Sequence, residues 1–146
     1  MNRTIFITGA SGGIGRTTAH HFHERGWNVV ATMRAPDKAA ELADMDRVLV
    51  TRLDVLAADS IASARDAARE RFGRVDALLN NAGYGAYGPL EAFSMDRIER
   101  QFATNVTGLL AVTKAFLPDF RGQRAGVIVN ISSIGGQMTF PLGTLY

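Results

Sequence analysis

Apolar residues along this chain fall into two rhythms: short unbroken blocks, and longer stretches in which they recur every third or fourth position. The first block, Thr4 to Ile7, is β-branched and apolar and runs straight into a glycine-rich turn, after which Ile14 to Arg25 has helical character. Gly26 is a natural helix stop. Asn28 to Thr32 reads as a second buried strand, and Arg47 to Leu53 as a third after a polar, alanine-rich helical stretch. Asp59 to Phe72 makes a helix closed by Gly73, Val75 to Leu79 a fourth strand, and Asn80 to Gly88 a glycine-rich loop. Met95 to Phe120 reads as one long helix ended near Pro118, and Gly126 to Ile131 as a fifth strand. Five strands alternating with helices predict an α/β fold, an open parallel sheet with helices on both faces. The sequence contains no internal repeat, low-complexity tract or linker.

Composition narrows this picture mainly by exclusion. A chain of 146 residues, 47% of them apolar, buries one respectable core, so 1–146 is expected to form a single domain. The formal net charge is only +2, and the basic residues are dispersed, without the dense runs of a nucleic-acid or membrane patch. Zero cysteines exclude a disulfide scaffold and thiolate zinc sites, and are ordinary for a cytosolic protein. Met1 to Ile7 leaves no room for a cleavable leader, and no stretch approaches the roughly eighteen apolar residues of a membrane span. The expectation is a cytoplasmic domain.

The candidate chemistry sits where strands end. Thr8-Gly9-Ala10-Ser11-Gly12-Gly13-Ile14-Gly15 lies between the first strand and the first helix, where glycines let the backbone turn sharply and approach a pyrophosphate. The helix N-terminus behind it offers free N–H groups to phosphate oxygens. This predicts a Rossmann-type dinucleotide site with Gly9, Ser11, Gly13, Ile14 and Gly15 as cofactor-binding residues. The second strand ends in Thr32-Met33-Arg34: an acidic residue there would suit the ribose hydroxyl of NAD, whereas Arg34 suits the 2′-phosphate of NADP. Asp37, nearby, could turn inward and weaken that preference. Arg16 reads as an exposed helix residue more readily than as a phosphate contact. Asn80-Asn81-Ala82-Gly83 follows the fourth strand on the same sheet edge, with Asn81, Ala82 and Gly83 as candidate contacts and the two Asn side chains suited to tying the backbone. Asn105 and Gly108 are poor helix formers inside a long helix, which calls for a compensating purpose. His20, His21 and His23 invite a metal reading, but no further ligand supports it.

The spacing T-G-x-x-x-G-x-G, the N-N-A-G block, and a Ser followed thirteen positions later by Tyr together resemble the short-chain dehydrogenase/reductase family over essentially the whole chain. The resemblance implies an NAD(P)-dependent oxidoreductase that moves a hydride between nicotinamide and a carbonyl or alcohol. It puts Gly9, Gly13 and Gly15 in the three glycine positions, Met33 in the usual acidic position and Arg34 in the basic one, favouring NADP(H) over NAD. It makes Asp54 and Val55 the adenine-edge contact, a part for which a simple turn Asp is the structural alternative. It implies catalytic parts for Ser133, which would hold the substrate oxygen, with Ser132 its rival; for Tyr146, which would pass the proton; and for Asn105, which would unwind the helix locally and help hold a relay water. Tyr84, Tyr87, Met138, Phe140 and Leu142 suggest an apolar small-molecule substrate. The Asn105 helix is expected in a subunit interface whose other half lies beyond Tyr146, leaving the oligomeric state open. Nucleic-acid and membrane partners are not expected.

One departure bears on activity. The family pattern is Tyr-x-x-x-Lys, and no Lys follows Tyr146 in this sequence. An unassisted phenol, with a pKa of about 10, is a sluggish base near neutrality. The fold is therefore expected to be incomplete at its C-terminal side, with the fifth strand's edge unpaired, and these 146 residues alone to be impaired. The alternative is a non-catalytic dinucleotide-binding module or an inactive fragment.

Overall fold

The computed structural model describes residues 2–145. Among them five strands, β1 (Thr4–Thr8), β2 (Asn28–Met33), β3 (Val48–Arg52), β4 (Ala77–Asn80) and β5 (Val127–Asn130), form one all-parallel sheet in the order β3-β2-β1-β4-β5. From β1 the chain winds outward through β2 and β3, then crosses back to β4 and β5 on the other side. The carboxyl ends of β1 and β4 thus flank the point where the winding reverses, the place where doubly wound folds open a crevice. This is the Rossmann-type architecture expected.

Strand alternation sorts the core into two layers. Ile5, Ile7, Val29, Ala31, Ala77 and Leu79 face α1 (Gly13–Glu24) and the one-turn α2 (Ala40–Ala43), packing with Ala19 and Leu42. Phe6, Val30 and Leu78 face α3 (Ala58–Phe72) and α5 (Leu109–Gln123), meeting Ile61, Ala64, Val112 and Phe116. The Phe6 and Phe116 rings lie 4.7 Å apart at 57°, and burying such a ring stabilises the fold by about 1.5–3 kcal/mol. Two polar groups at the sheet are partnered there: the Thr32 hydroxyl donates to the Ile7 carbonyl at 2.9 Å, and the Thr4 N–H to Asp76 Oδ2 at 2.8 Å. Gly26 and Gly73, both at positive φ, end α1 and α3 as their positions suggest.

The long helix departs from expectation in two ways. It is three pieces: α4 (Met95–Phe102), a π-helical stretch (Ala103–Gly108) around Asn105, and α5. And Pro118 does not end it, since α5 runs on to Gln123 and stops where Arg124 turns left-handed. Proline leaves a carbonyl one turn back without its helical donor; here Arg65 of α3 reaches across and donates to the neighbouring Ala115 carbonyl at 3.3 Å. The alanine-rich stretch before β3 also forms less helix than expected, a 3-10 turn (Pro36–Ala39) followed by α2, with only Ala39 and Leu42 buried. β5 pairs with β4 alone among the described strands, and all four of its residues are exposed.

Candidate active site

The sheet's carboxyl edge opens into a cleft of about 960 Å³. The glycine turn lines one side of it, directly after the last residue of β1. Thr8 is buried, and its hydroxyl oxygen accepts from the N–H groups of Asn81 (2.9 Å) and Ala82 (3.0 Å), so the ends of β1 and β4 are cross-linked. Asn81 returns the tie, its Nδ2 donating to the carbonyls of Thr8 and Gly9, both at 3.0 Å. Asn80 Nδ2 donates to Thr113 Oγ1 and Asn130 Oδ1, each at 2.9 Å. Both Asn side chains therefore hold backbone and neighbouring side chains, and Ala82 and Gly83 line the cleft beside Asn81.

Two glycines of the turn illustrate separate demands. A Cβ on Gly15 would stand 2.5 Å from the Gly9 carbonyl oxygen and 2.6 Å from Asn81 Nδ2, so only glycine lets α1 approach the turn. Gly13 has φ +53° and open space where its Cβ would be, facing no protein atom within 4 Å. The helix behind has Gly12 at its N-cap, which offers no side-chain cap. Uncapped N–H groups above an open, glycine-lined turn match the needs of a pyrophosphate, and Ile14, 59% exposed, adds an apolar wall.

The predicted residues converge from distant parts of the chain. Gly9, Ser11, Ile14, Arg34, Asp54 and Val55 line the cleft, and so do Asn81, Ala82, Gly83, Asn105 and Ser133. Gly13 and Gly15 shape the turn behind this lining. Tyr146 lies outside the described residues. Arg34 is exposed and has no hydrogen-bond or ion-pair partner among the described residues, leaving its five donors free at the cleft's mouth. Asp37 is exposed in the 3-10 turn and is absent from the lining. One oxygen of Asp54 accepts from the Leu56 N–H at 3.0 Å, closing a turn, while the residue also faces the cleft.

Asn105 sits in the π-helical stretch with both ends of its side chain engaged: Nδ2 donates to the Tyr84 carbonyl at 2.7 Å and Oδ1 accepts from the Tyr84 N–H at 3.1 Å. Gly83 permits this, because a Cβ there would come 3.1 Å from Oδ1. Ser133 begins a 3-10 turn and accepts from the Gly135 N–H at 3.1 Å, which leaves its hydroxyl proton free to donate. Ser132, its rival, lines the cleft as well.

Sequence reasoning passed over Leu56, Arg100 and Thr104, all of which line the cleft. A signal existed: positions 100, 104 and 108 recur at helical spacing on one stripe, and a Cβ on Gly108 would press against Val55 Cγ2 at 2.8 Å. The apolar residues expected near a substrate divide. Tyr84 lines the main cleft, whereas Met138, Phe140 and Leu142 line a separate cavity of about 260 Å³, with the rings of Phe140 and Tyr87 6.4 Å apart. Two of the three histidines of α1 have side-chain partners: His23 Nε2 meets Asp46 Oδ1 at 2.8 Å, and His21 Nδ1 meets Arg25 at 2.9 Å. The His23 hydrogen bond, helped by the Arg47 charge, holds the Asp46 carboxyl below its ordinary range, far from the cleft.

Comparison with known proteins agrees with this geometry. The sequence profile of short chain dehydrogenases matches residues 3–146. An uncharacterized oxidoreductase of Schizosaccharomyces pombe is 53% identical over 114 residues, 78% of this chain and 48% of its own length. A short-chain dehydrogenase from Streptomyces avermitilis superposes with a TM-score of 0.93 at 34% identity, covering all of this chain and 55% of that one. The closed form of a serine dehydrogenase complexed with NADP+ superposes at 0.92 and 30% identity, over 98% of this chain and 59% of its own. The chain thus spans about half the length of the curated relatives it matches.

Proposed function

The chain belongs to the short-chain dehydrogenase family, a family of oxidoreductases that bind NAD(P), and we propose that the protein it comes from is an NADP(H)-linked enzyme interconverting a carbonyl and an alcohol. The observation carrying this is the convergence of the glycine turn, the unpartnered Arg34, the Ala82–Gly83 edge, Asn105 and Ser133 on one cleft, from positions spread between 9 and 133. The turn and the uncapped start of α1 would hold the pyrophosphate, Asp54 and Val55 the adenine edge, and Arg34 the 2′-phosphate. When bound, the dinucleotide supplies or accepts the hydride at its nicotinamide ring.

The chain's own groups then manage the oxygen and the proton. Ser133, already accepting from Gly135, donates its hydroxyl hydrogen to the substrate oxygen and fixes its position. Tyr146 passes the proton to or from that oxygen. The Asn105 side chain is committed to Tyr84, so its share in a proton relay falls to its main chain. Tyr84 at the cleft is consistent with an apolar substrate. A cytoplasmic location is part of the same proposal; no described helix is long and apolar enough to cross a membrane.

The test is an equilibrium titration of the protein with NADPH and NADH, repeated on Arg34→Ala. Losing a charged hydrogen-bond partner is expected to weaken NADPH about tenfold or more while sparing NADH. Equal affinity for the two nucleotides, or an Arg34→Ala effect shared by both, would overturn the NADP(H) assignment.

A further inference from the structure

Arg16 stands one residue past the last motif glycine and, from sequence, reads as an exposed helix residue more readily than as a phosphate contact. The structure gives its guanidinium partners on three other segments. Nη2 donates to the Ser11 carbonyl at 2.5 Å, in the phosphate turn, and to the Lys38 carbonyl at 3.0 Å, in the 3-10 turn after β2. Nη1 pairs with Glu41 Oε1 of α2 at 3.2 Å. Both terminal nitrogens of the guanidinium are therefore committed to protein acceptors, unlike Arg34, whose donors are free.

Ser11 lines the cleft in the turn that would carry the pyrophosphate, and Lys38, itself outside the lining, lies four residues beyond the cleft-lining Arg34. The last residues of β2 are held by backbone on both sides, with the Ala10 N–H donating to the Thr32 carbonyl at 2.9 Å and the Leu53 N–H to the Met33 carbonyl at 2.8 Å. Past Met33 the chain leaves the sheet, and the bond from Arg16 to the Lys38 carbonyl ties the segment after Arg34 back to the turn. A dinucleotide with a 2′-phosphate presents two anionic groups at a separation limited by its own covalent structure. A protein that holds both must set the distance between its two binding segments, and rigidity there lowers the ordering cost of binding.

We propose that Arg16 is a positioning residue for cofactor choice: its forked guanidinium clamps the Arg34 segment to the phosphate turn and so favours the 2′-phosphorylated dinucleotide. This deepens the NADP(H) assignment and rests on it. The planar fork is what the task needs, since a lysine ammonium is a point donor on a flexible stem and cannot span the same acceptors in a fixed geometry. Glu41 contributes less, because its pair with Arg16 is solvent-exposed on both sides.

The experiment titrates the full-length protein with NADPH, NADH and 2′,5′-ADP, comparing Arg16→Met, Arg16→Lys and Glu41→Gln with the unaltered protein and with Arg34→Ala. Arg16→Met is expected to lower the NADPH-to-NADH affinity ratio about fivefold, the size of one lost hydrogen bond, with 2′,5′-ADP weakened in parallel and NADH nearly unchanged. Arg16→Lys should move the ratio the same way by less, and serves in its place should Arg16→Met not fold; Glu41→Gln should leave the ratio alone. An unchanged ratio overturns the proposal, whether both affinities hold or both fall together as they would for a purely structural arginine. If Arg34→Ala shifts the ratio and the Arg16 variants do not, the clamp fails while the NADP(H) assignment stands. If the unaltered protein shows no preference for NADPH, both fall.

Discussion

β1 and β5 are short apolar strands of the same parallel sheet, TIFIT and VIVN, yet every residue of the first is buried and every residue of the second is exposed. Nothing in their own letters separates them. β1 lies between β2 and β4 and under helices on both faces, while β5 has β4 on one edge and Val127 and Val129 remain 56% and 45% exposed. Burial is a property of what surrounds a strand, and the two ends of the cleft inherit the difference. The glycine turn stands on a strand locked from every side, and Ser133 comes after one that the described residues cover on one edge only.

The comparison is broken or sharpened most strongly at Phe6. Phe6→Ala in β1 is expected to cost about 3–5 kcal/mol, a large share of the roughly 5–15 kcal/mol that holds a domain together; a urea denaturation midpoint that barely moves would break the contrast at its firm end. Next comes the turn. Gly15→Val forces a side chain into the space held by the Gly9 carbonyl and Asn81 Nδ2, with an expected cost of about 1–3 kcal/mol and loss of measurable NADPH binding by fluorescence titration. Retained binding would mean that the turn is softer than its packing implies.

At β5 the expected effect is small. Val129→Thr keeps the strand's shape at a half-exposed position and should change stability by no more than about 0.5 kcal/mol in these 146 residues; a cost above about 2 kcal/mol would show that a cover reaches β5 in solution. Smallest of all is a surface effect away from both strands. Because the His23 hydrogen bond holds Asp46 below the ordinary aspartate range, the pair adds its stability at and above that ordinary value and loses it as pH falls through the depressed one. His23→Ala should return the Asp46 carboxyl titration, followed by carbon NMR, toward the ordinary value. No such return would mean that the Arg47 charge alone sets it.

Much of the fold was legible because its signals are local. β-branched runs, glycine stops and the Thr8–Gly15 turn each constrain neighbouring backbone angles, and the alternation of strands and helices carries the rest. Where two local signals competed, legibility failed. Pro118 reads as a helix stop, but the packing of α5 on α3 and the Arg65 bond to Ala115 let the helix pass through it. The candidate site was legible wherever a motif is contiguous, as at Gly9–Gly15 and Asn81–Gly83. Arg100 and Thr104 escaped because their relevance depends on which face of the helix meets Val55, and Arg16 because its acceptors lie in other segments.

The sequence by itself determined the order and kind of the elements and the chemistry available at each strand end, since those depend on residues within a few positions of one another. Tertiary structure alone decided that β1 is buried and β5 is not, that the Asn105 side chain is taken up by the Tyr84 backbone, and that Arg16 joins the glycine turn to the segment after Arg34. Apart from the short step from Arg16 to Ser11, those outcomes turn on contacts between residues tens of positions apart, where a hydrogen bond of about 3 Å depends on crossovers and register that no local pattern specifies.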